Sequence, residues 1–595
     1  MRNLVGTLSI LAGVCSCASN SNDDTGTSPL TTATESNSSP IPSTGAPPTS
    51  SSTSPAAVSP TTPPTTVNPP PPVTTPPATG TTGPGALTTG PGATNPPAQG
   101  SDTSMGVPTP VPTTPAPSAS SPEPATTPAG SGGMGGMDTP TAGGAGGGPA
   151  TGPSTPTVCE APSVTLSGND AVDGELIEFN DNGGWCWYQD ERVVVDAANN
   201  RMVIGSIGSG NGRTGNVETV VYDLAAKTGK RTVMNTLSVD DHNGPGLVIT
   251  GDGKVAAMWA THRENCNSYF AVLDGANWSM TKTYDWTSDG CPWPGADTNM
   301  VTYANPWLMS SEDNRLYSFV RSVGTSPSSL TSTDNGGSWS YLGRLTGSDQ
   351  VGYVAGYYKY WGNGTDRIDW VGTEAHPRDD DNSLWHGYIQ GGKIYNSAGT
   401  VVDDNLQDQD AKDVSTYTQV FKTGTTINNV KLEHMWQHDI VRYADGTMAI
   451  LGQGRVSGTG SDDPDKRFIY SRFDGKEWTT TYLVKGGTKL YDSEQDYTGL
   501  SALVPDDPTT IYVSTMFDPR DDMTKSAKRE IWRGTTCDNG KTFTWTPVTQ
   551  GSSEDNIRPV VPKWDATHTA LLWMRGTYRS AQDFSEKIVG LIMEK

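Results

Sequence analysis

His242 and His262 flank a stretch that reads as two strands joined by a tight turn. Residues 246–250 are apolar, Gly251, Asp252 and Gly253 make the turn, and residues 255–259 are apolar again. Antiparallel strands joined in this way bring their open ends together, so the two imidazoles are expected to be neighbours. The next comparable unit repeats the arrangement, with Tyr303 before its first strand and Arg321 after its second. Two imidazoles, a phenol and a guanidinium on one rim suit proton transfer beside an anion. An arginine neutralises a carboxylate and makes the proton on the adjacent carbon less unfavourable to remove. Tyr303 or a histidine then takes that proton, and the same or the other group protonates a departing oxygen, which is β-elimination without water.

Further hairpins add cations to the same rim: His438 with Arg455, and Arg558 with Arg575. The chain is acidic overall, with a formal net charge of -24. A local collection of Arg and His in such a field reads as a carboxylate- or sulfate-binding site, and these four residues are the expected substrate contacts. Against this stand blander readings. The arginines pair with acids such as Asp439 or Asp555, His242 is a satisfied loop histidine beside Asp240 and Asp241, and Tyr303 is a core aromatic. No Asp/Glu pair stands at the corresponding hairpin ends, which disfavours the two-carboxylate glycosidase. HExxH and GxSxG are absent, so zincin and serine-hydrolase readings have no support.

The elements that must position these residues are strands. Past residue 180 there is little helical periodicity. Short alternating or apolar runs rich in Val, Ile, Tyr, Trp and Thr are separated by Gly/Asp/Asn turns. Comparable strand–turn–strand units begin near Trp187, His242, Tyr303, Ile368, His438, Tyr497 and Arg558. Seven such starts predict an all-β, seven-bladed β-propeller with four-stranded blades; a β-sandwich is the competing architecture. Ser332, Asp334, Gly336 and Trp339 match the Asp-box pattern S-x-D-x-G-x-x-W. Thr536, Asp538, Gly540 and Phe543 form a conservative variant, and Asp274 with Trp278 and Asp474 with Trp478 are shorter relatives. In such a box the carboxylate accepts backbone N–H groups, glycine takes the left-handed position and the aromatic pins the turn. It marks an outer blade hairpin and carries no chemistry.

The 595 residues are only 33% hydrophobic, and the 68 Gly and 45 Pro are unevenly spread. Residues 18–157 are nearly all Ser, Thr, Pro, Gly and Ala without Lys or Arg. Such a segment buries too little to repay its ordering entropy and is expected to be a disordered linker. Residues 1–17 read as an export signal: Arg2, a short apolar stretch from Leu4 to Val14, then Cys15 and Cys17. Val14, Cys15 and Ser16 before Cys17 fit a lipoprotein signal with Cys17 lipidated; Cys15 fits less well, and an ordinary secretory signal is the alternative. Residues 158–595 are then the folded domain, a monomer held at the outer membrane or cell surface of a bacterium by its lipid anchor alone. The acidic balance argues against nucleic acid, and no apolar run of about 18 residues exists for a multi-span membrane protein. Among the remaining cysteines, Cys266 and Cys291 bracket one loop and are the expected disulfide, while Cys186, between two tryptophans, reads as a buried thiol.

Several motifs carry a resemblance: residues 183–192 (GGWCWYQDER), 240–245 (DDHNGP), 302–306 (TYANP), His376 with Pro377, residues 382–386 (NSLWH) and 556–559 (NIRP). With these the chain resembles the BNR-repeat-containing propellers from about residue 181 to its end, and within them the seven-bladed ulvan lyases and rhamnosyl-glucuronate lyases. The resemblance implies cleavage of a rhamnosyl-(1→4)-uronate linkage in an acidic polysaccharide by β-elimination. It implies Tyr303 with one histidine as base and acid, and Arg321 with the other histidine as neutralisers. Some of those lyases hold a structural zinc by Cys and His just after the Arg; here no Cys or His follows Arg321 closely, so that site is not matched. No cofactor is required for the chemistry. Structural calcium would fall at residues 379–382 or 462–465, although acid-rich loops are ordinarily just solvated. His376 and His386 are further candidates for the cleft without an assigned role. Two other classes compete: a sialidase-like or rhamnosidase-like hydrolase on the same scaffold, and a glycan-binding propeller without catalysis.

Overall fold

A computed structural model describes residues 164–293, 301–347, 356–460, 462 and 464–595. The signal, Cys15, Cys17, the linker and Cys159 lie outside these residues. The described chain forms seven antiparallel sheets in chain order, the blades of a β-propeller, and a separate two-stranded pairing of Ala171–Val172 with Thr549–Gln550. The innermost strands of blades 1 to 4 are Val193–Asp196, Gly246–Ile249, Thr302–Met309 and Tyr358–Gly362; those of blades 5 to 7 are Val430–Arg442, Ser501–Val504 and Asp555–Val560. Blades 2, 4 and 5 carry additional short strands at their edges. Blade 7 is completed from the other end of the chain, because Ile177–Asn180 pairs with Asp583–Glu594 as its outermost strand. That pairing ties a strand near the start of the described chain to the last strand, which closes the ring at the seam.

The turn chemistry explains where the strands stop. In blade 2, Thr250 N–H donates to Lys254 O at 2.8 Å, and Gly253 takes φ +77°. All four Asp-box-like turns join the third and fourth strands of their blades. Asp334 accepts Ser338 N–H at 2.9 Å, and Ser332 Oγ accepts Gly336 N–H at 2.9 Å. Thr536 and Asp538 repeat both bonds with Gly540 and Thr542. The fourth blade begins one strand earlier than expected, at Tyr358 rather than Ile368. Its inner strand contains Lys359, which the pattern marks as a surface residue but which is wholly buried.

Lys359 is buried because of what fills the channel. The segment leading into blade 1, residues 182–190, is buried along its whole length and runs through the ring of inner strands. Trp187 packs edge-on against Trp436 and Tyr497, with ring centroids 5.3 and 4.8 Å away, and Tyr188 lies 4.9 Å from Tyr357. Its backbone is matched blade by blade. Cys186 N–H donates to Asp241 O at 3.0 Å, Asp190 N–H to Asn305 Oδ1 at 2.9 Å, and Leu247 N–H to Glu191 O at 2.7 Å. Lys359 Nζ donates to Trp187 O and to Asp190 Oδ1 at 2.7 Å, and Arg558 Nη1 donates to Trp185 O.

Cys266 and Cys291 form a disulfide with Cα atoms 5.8 Å apart, Cys537 is also disulfide-bonded, and Cys186 is a buried free thiol. Among the described residues no helix is long and apolar enough to cross a membrane. The buried pair in the channel yields a stability prediction. Lys359→Ala leaves Asp190 with only the longer contact to Arg192, at 3.7 Å, and lowers unfolding stability in urea by about 3 kcal/mol. Lys587→Ala, which breaks the half-exposed pair with Glu178, changes the urea midpoint little.

Candidate active site

The site stands where the inner strands begin. His242 sits on a single 3-10 turn, Asp241–Asn243, whose preceding residue Asp240 caps it by accepting His242 N–H at 2.9 Å. His262 follows the second strand of the same blade, Val255–Ala260. The hairpin brings their rings into a parallel stack, with centroids 3.8 Å apart and planes within 11°. Tyr303 lies in the inner strand of blade 3 at φ +69°, beside a register break between Thr302 and Asn305. A non-glycine residue in the left-handed region at a bulge is a strained device that re-aims a side chain. Here the ring is turned to 5.4 Å from His242. Arg321 closes the second strand opposite Thr302, with Cζ 5.0 Å from the Tyr303 ring centroid and Nη1 3.1 Å from Tyr357 Oη. The four residues expected to meet do meet.

One carboxylate organises the two imidazoles. Asp240 Oδ1 lies 2.6 Å from His242 Nδ1, and its Oδ2 lies 2.9 Å from His262 Nδ1. Asp241 Oδ1 is a second partner of His242 Nδ1 at 2.7 Å. Asp241 is wholly buried, and its Oδ2 accepts from Arg558 Nη1 and from Tyr578 Oη. Gln582 Nε2 donates to Asp240 from blade 7.

The two histidines are thereby driven apart in acidity. Burial opposes a charge on His242, but the adjoining Cys186 and the carboxylates of Asp240 and Asp241 outweigh it and hold its pKa well above the usual imidazole value. Burial pushes the Cys186 thiol up and keeps it neutral, so the two carboxylates carry that effect at neutral pH. For His262, burial and the neighbouring His242 cation lower the pKa to about 4, against the pull of Asp240. Burial opposes the charge of Asp240 too, yet His262 and His242 keep its carboxyl well below the ordinary range. At neutral pH the stack is one imidazolium and one neutral imidazole, the latter with 21% of its side chain exposed. Groups whose surroundings separate their pKa values in this way are suited to divided acid and base roles.

The other residues expected to contact substrate are engaged by groups of the protein itself. His438 is buried in the wall between blades 5 and 6, with Nδ1 2.8 Å from Ser501 Oγ, and burial lowers its pKa to about 3. Arg558 is completely buried beneath the site and serves Asp241 and the channel segment. Arg575 is held by Asp170 and Glu554, and Arg455 by Asp496 and the Arg378 carbonyl. Arg455 and Arg558 turn to the buried acids Asp496 and Asp241, whereas Arg575 pairs with the more exposed Asp170 and Glu554, and His438 faces Ser501. His386 is buried within blade 4 between Asp369 and Ser397.

Two cleft residues come from blade 4. Tyr357 immediately precedes the inner strand Tyr358–Gly362, and His376 follows the second strand Ile368–Gly372. They are the blade-4 counterparts of Tyr303 and Arg321, with rings 4.9 Å apart. Starting that blade at Ile368 hid Tyr357 and left His376 a candidate without a role. Across the mouth, Arg378 pairs with Glu494, whose pKa burial raises to about 7 against the pull of Arg378; no hairpin position marked Glu494 in advance.

Asp240, His242 and His262 have ligand atoms mutually within 4.8 Å, as do Cys186, Asp241 and His242, so either trio could hold a metal ion. The acidic loops named for calcium direct carboxylates to arginines: Asp379 to Arg378 and Asp465 to Arg467.

This is an Asp-box propeller with a cleft of stacked histidines, tyrosines and an arginine at one mouth of its channel. The sequence pattern of BNR repeat-containing family members matches residues 186–485, and the chain belongs to that family. No curated protein matches it. Among solved structures it is similar to a PL25 ulvan lyase bound to a GlcA(1-4)Rha3S saccharide, at 13% identity and TM-score 0.49, covering 69% of this chain and 94% of that one. It is similar also to the α-L-arabinofuranosidase Arb93A of Fusarium graminearum, at 9% identity and TM-score 0.35 over 58% and 91% of the two chains. A third is a mutant of the sialidase NanB from Streptococcus pneumoniae, at 9% identity and TM-score 0.33 over 70% of each chain.

The shared carboxylate makes a prediction for solution titration. In NMR spectra of histidine-labelled protein, His262 titrates near 4 and His242 above the ordinary imidazole range. Asp240→Asn removes one of the two carboxylates that favour the His242 cation, so its pKa moves down by about one unit or more.

Proposed function

We propose that the protein is a polysaccharide lyase that cleaves a rhamnosyl-(1→4)-uronate linkage of an acidic glycan by β-elimination. The observation that carries this reading is the His242–His262 stack on Asp240, one ring cationic and one neutral, facing Tyr303 and Arg321. Arg321 and the His242 imidazolium bind the uronate carboxylate and stabilise the negative charge that develops on it. Neutral His262 takes the C5 proton. The C5–H electrons form the C4=C5 double bond as the C4–O4 bond breaks, and the Tyr303 hydroxyl delivers a proton to O4. The products are a 4,5-unsaturated uronate and a free hydroxyl on the neighbouring sugar. No water, oxidant or metal enters the balance. Tyr357, backed by the buried rings of Tyr188 and Trp436, borders the cleft beside Arg321. Export and lipidation of Cys17 are part of the same proposal, since a polymeric glycan is met outside the cell.

The test is ultraviolet absorbance of the unsaturated product, with ulvan and a rhamnosyl-glucuronate-capped gum as substrates. Wild-type protein produces a rise. Tyr303→Phe and His262→Ala each reduce the rate by about 100-fold or more, the usual range for a lost acid or base. The rate rises with pH through about 4, where His262 loses its proton, and falls on the alkaline side as His242 loses its charge. Reducing ends released without absorbance would replace the lyase with a hydrolase, and retention of the glycan without product would leave a binding propeller.

A further inference from the structure

The catalytic cleft uses one mouth of the channel, and the other mouth is also built to bind. The inner strands start at the cleft and end at the opposite face, with the buried segment 182–190 between. At that far end a cavity of about 320 Å³ is lined by Val195, Ile249, Trp307, Trp361, Pro505 and Trp564. A second cavity of about 390 Å³ lies at the seam of blades 7 and 1, lined by Ile177, Asn200, Tyr222, Lys227, Trp564 and His568. Both volumes fall within the range of ligand pockets. Trp564 is the wall they share.

The loop bearing Trp564 is held firmly. Trp564 N–H donates to Asp506 Oδ2 at 3.3 Å, and its ring stacks on His568 with centroids 5.2 Å apart. Asp565 Oδ2 lies 3.0 Å from His568 Nδ1, which leaves Nε2 as the ring nitrogen for another partner. Exposed cations stand on both sides. Lys563 Nζ lies 5.9 Å from the Trp361 ring centroid, and Lys227, 65% exposed, pairs with exposed Glu175. Aromatic rings take the apolar face of a pyranose, polar groups at the margin take its hydroxyls, and lysines attract a carboxylate or sulfate as point charges. Two neighbouring cavities divided by one ring fit successive sugars of a chain; Lys563 lines the first, and the second is edged by the ion pairs Lys227–Glu175 and His568–Asp565.

We propose that this face is a second, non-catalytic binding site for an acidic polysaccharide, with Trp564 at its centre and Lys563 as its anion partner. It rests on the reading that the cleft acts on such a polymer. One stretch of chain held here keeps other stretches at high effective concentration near the cleft.

The experiment uses the full-length protein carrying Tyr303→Phe, so that the polymer is not cut, and measures its retardation in gels containing ulvan. Trp564→Ala weakens retention by about tenfold or more, as expected for an aromatic anchor. Lys563→Glu, on an exposed side chain that does not affect folding, weakens it about threefold in a salt-dependent manner. In the otherwise wild-type protein, Trp564→Ala lowers turnover of the polymer and leaves turnover of a short oligosaccharide unchanged. Retention lost with Trp564→Ala and Lys563→Glu supports the second site even if no unsaturated product is ever formed, so its fate is separate from that of the lyase. Retention unchanged in both variants, or absent from the parent protein, overturns it.

Discussion

Everything in the propeller depends on the segment that fills its channel. Seven inner strands cannot close on one another without leaving an axial gap, and here Trp185, Cys186, Trp187 and Tyr188 occupy it. A buried irregular segment must have its backbone groups satisfied, and the bonds come from blade after blade: Ile207, Asp241, Leu247, Asn305, Lys359 and Arg558. The charges it brings with it are neutralised internally, Asp190 by Lys359, while Arg558 reaches past it to Asp241. Cations at inner-strand positions that would otherwise face a ligand are thereby committed to the core.

That commitment sets the electrostatics of the cleft. Asp241 is held by Arg558 and Tyr578, and Asp240 receives Gln582. Both carboxylates are fixed on the core side of the histidine stack. Two stacked imidazoles within reach of one carboxylate do not both protonate, because each cation raises the cost of the other. The more deeply buried ring, with two acids at its Nδ1, takes the proton, and the more exposed ring remains neutral toward solvent. A chain with a net charge of -24 thus presents a locally cationic mouth in which one base is kept unprotonated.

The same channel segment separates two surfaces of different character. The mouth at the strand starts carries histidines, tyrosines and arginines, and the mouth at the strand ends carries tryptophans and aliphatic residues. The difference follows from backbone geometry. Left-handed residues and register breaks at the strand starts, as at Tyr303 and Arg558, swing polar side chains out of the regular alternation. The regular alternation toward the strand ends keeps apolar groups facing the axis.

The amino-acid sequence by itself determined the number and kind of blades. Turn residues, period-two runs and Asp boxes are local signals, and each is satisfied within one hairpin. It also determined the meeting of His242 with His262 and of Tyr303 with Arg321, since a hairpin joins each pair through adjacent strands. The blade that was read late, at Ile368, hid Tyr357 and left His376 without a role, because buried Lys359 owes its place to Asp190 in a distant segment. Tertiary structure alone decided which cations face the cleft and which are spent inside. Arg575 occupies the same kind of hairpin position as Arg321, and Arg558 and His438 that of Tyr303, but their partners, Asp170, Asp241 and Ser501, come from other blades or from the chain's first described residues. Tertiary structure likewise decided which histidine holds the proton, because that rests on the burial and the buried acids around each ring, whereas sequence spacing records only that the two rings are neighbours.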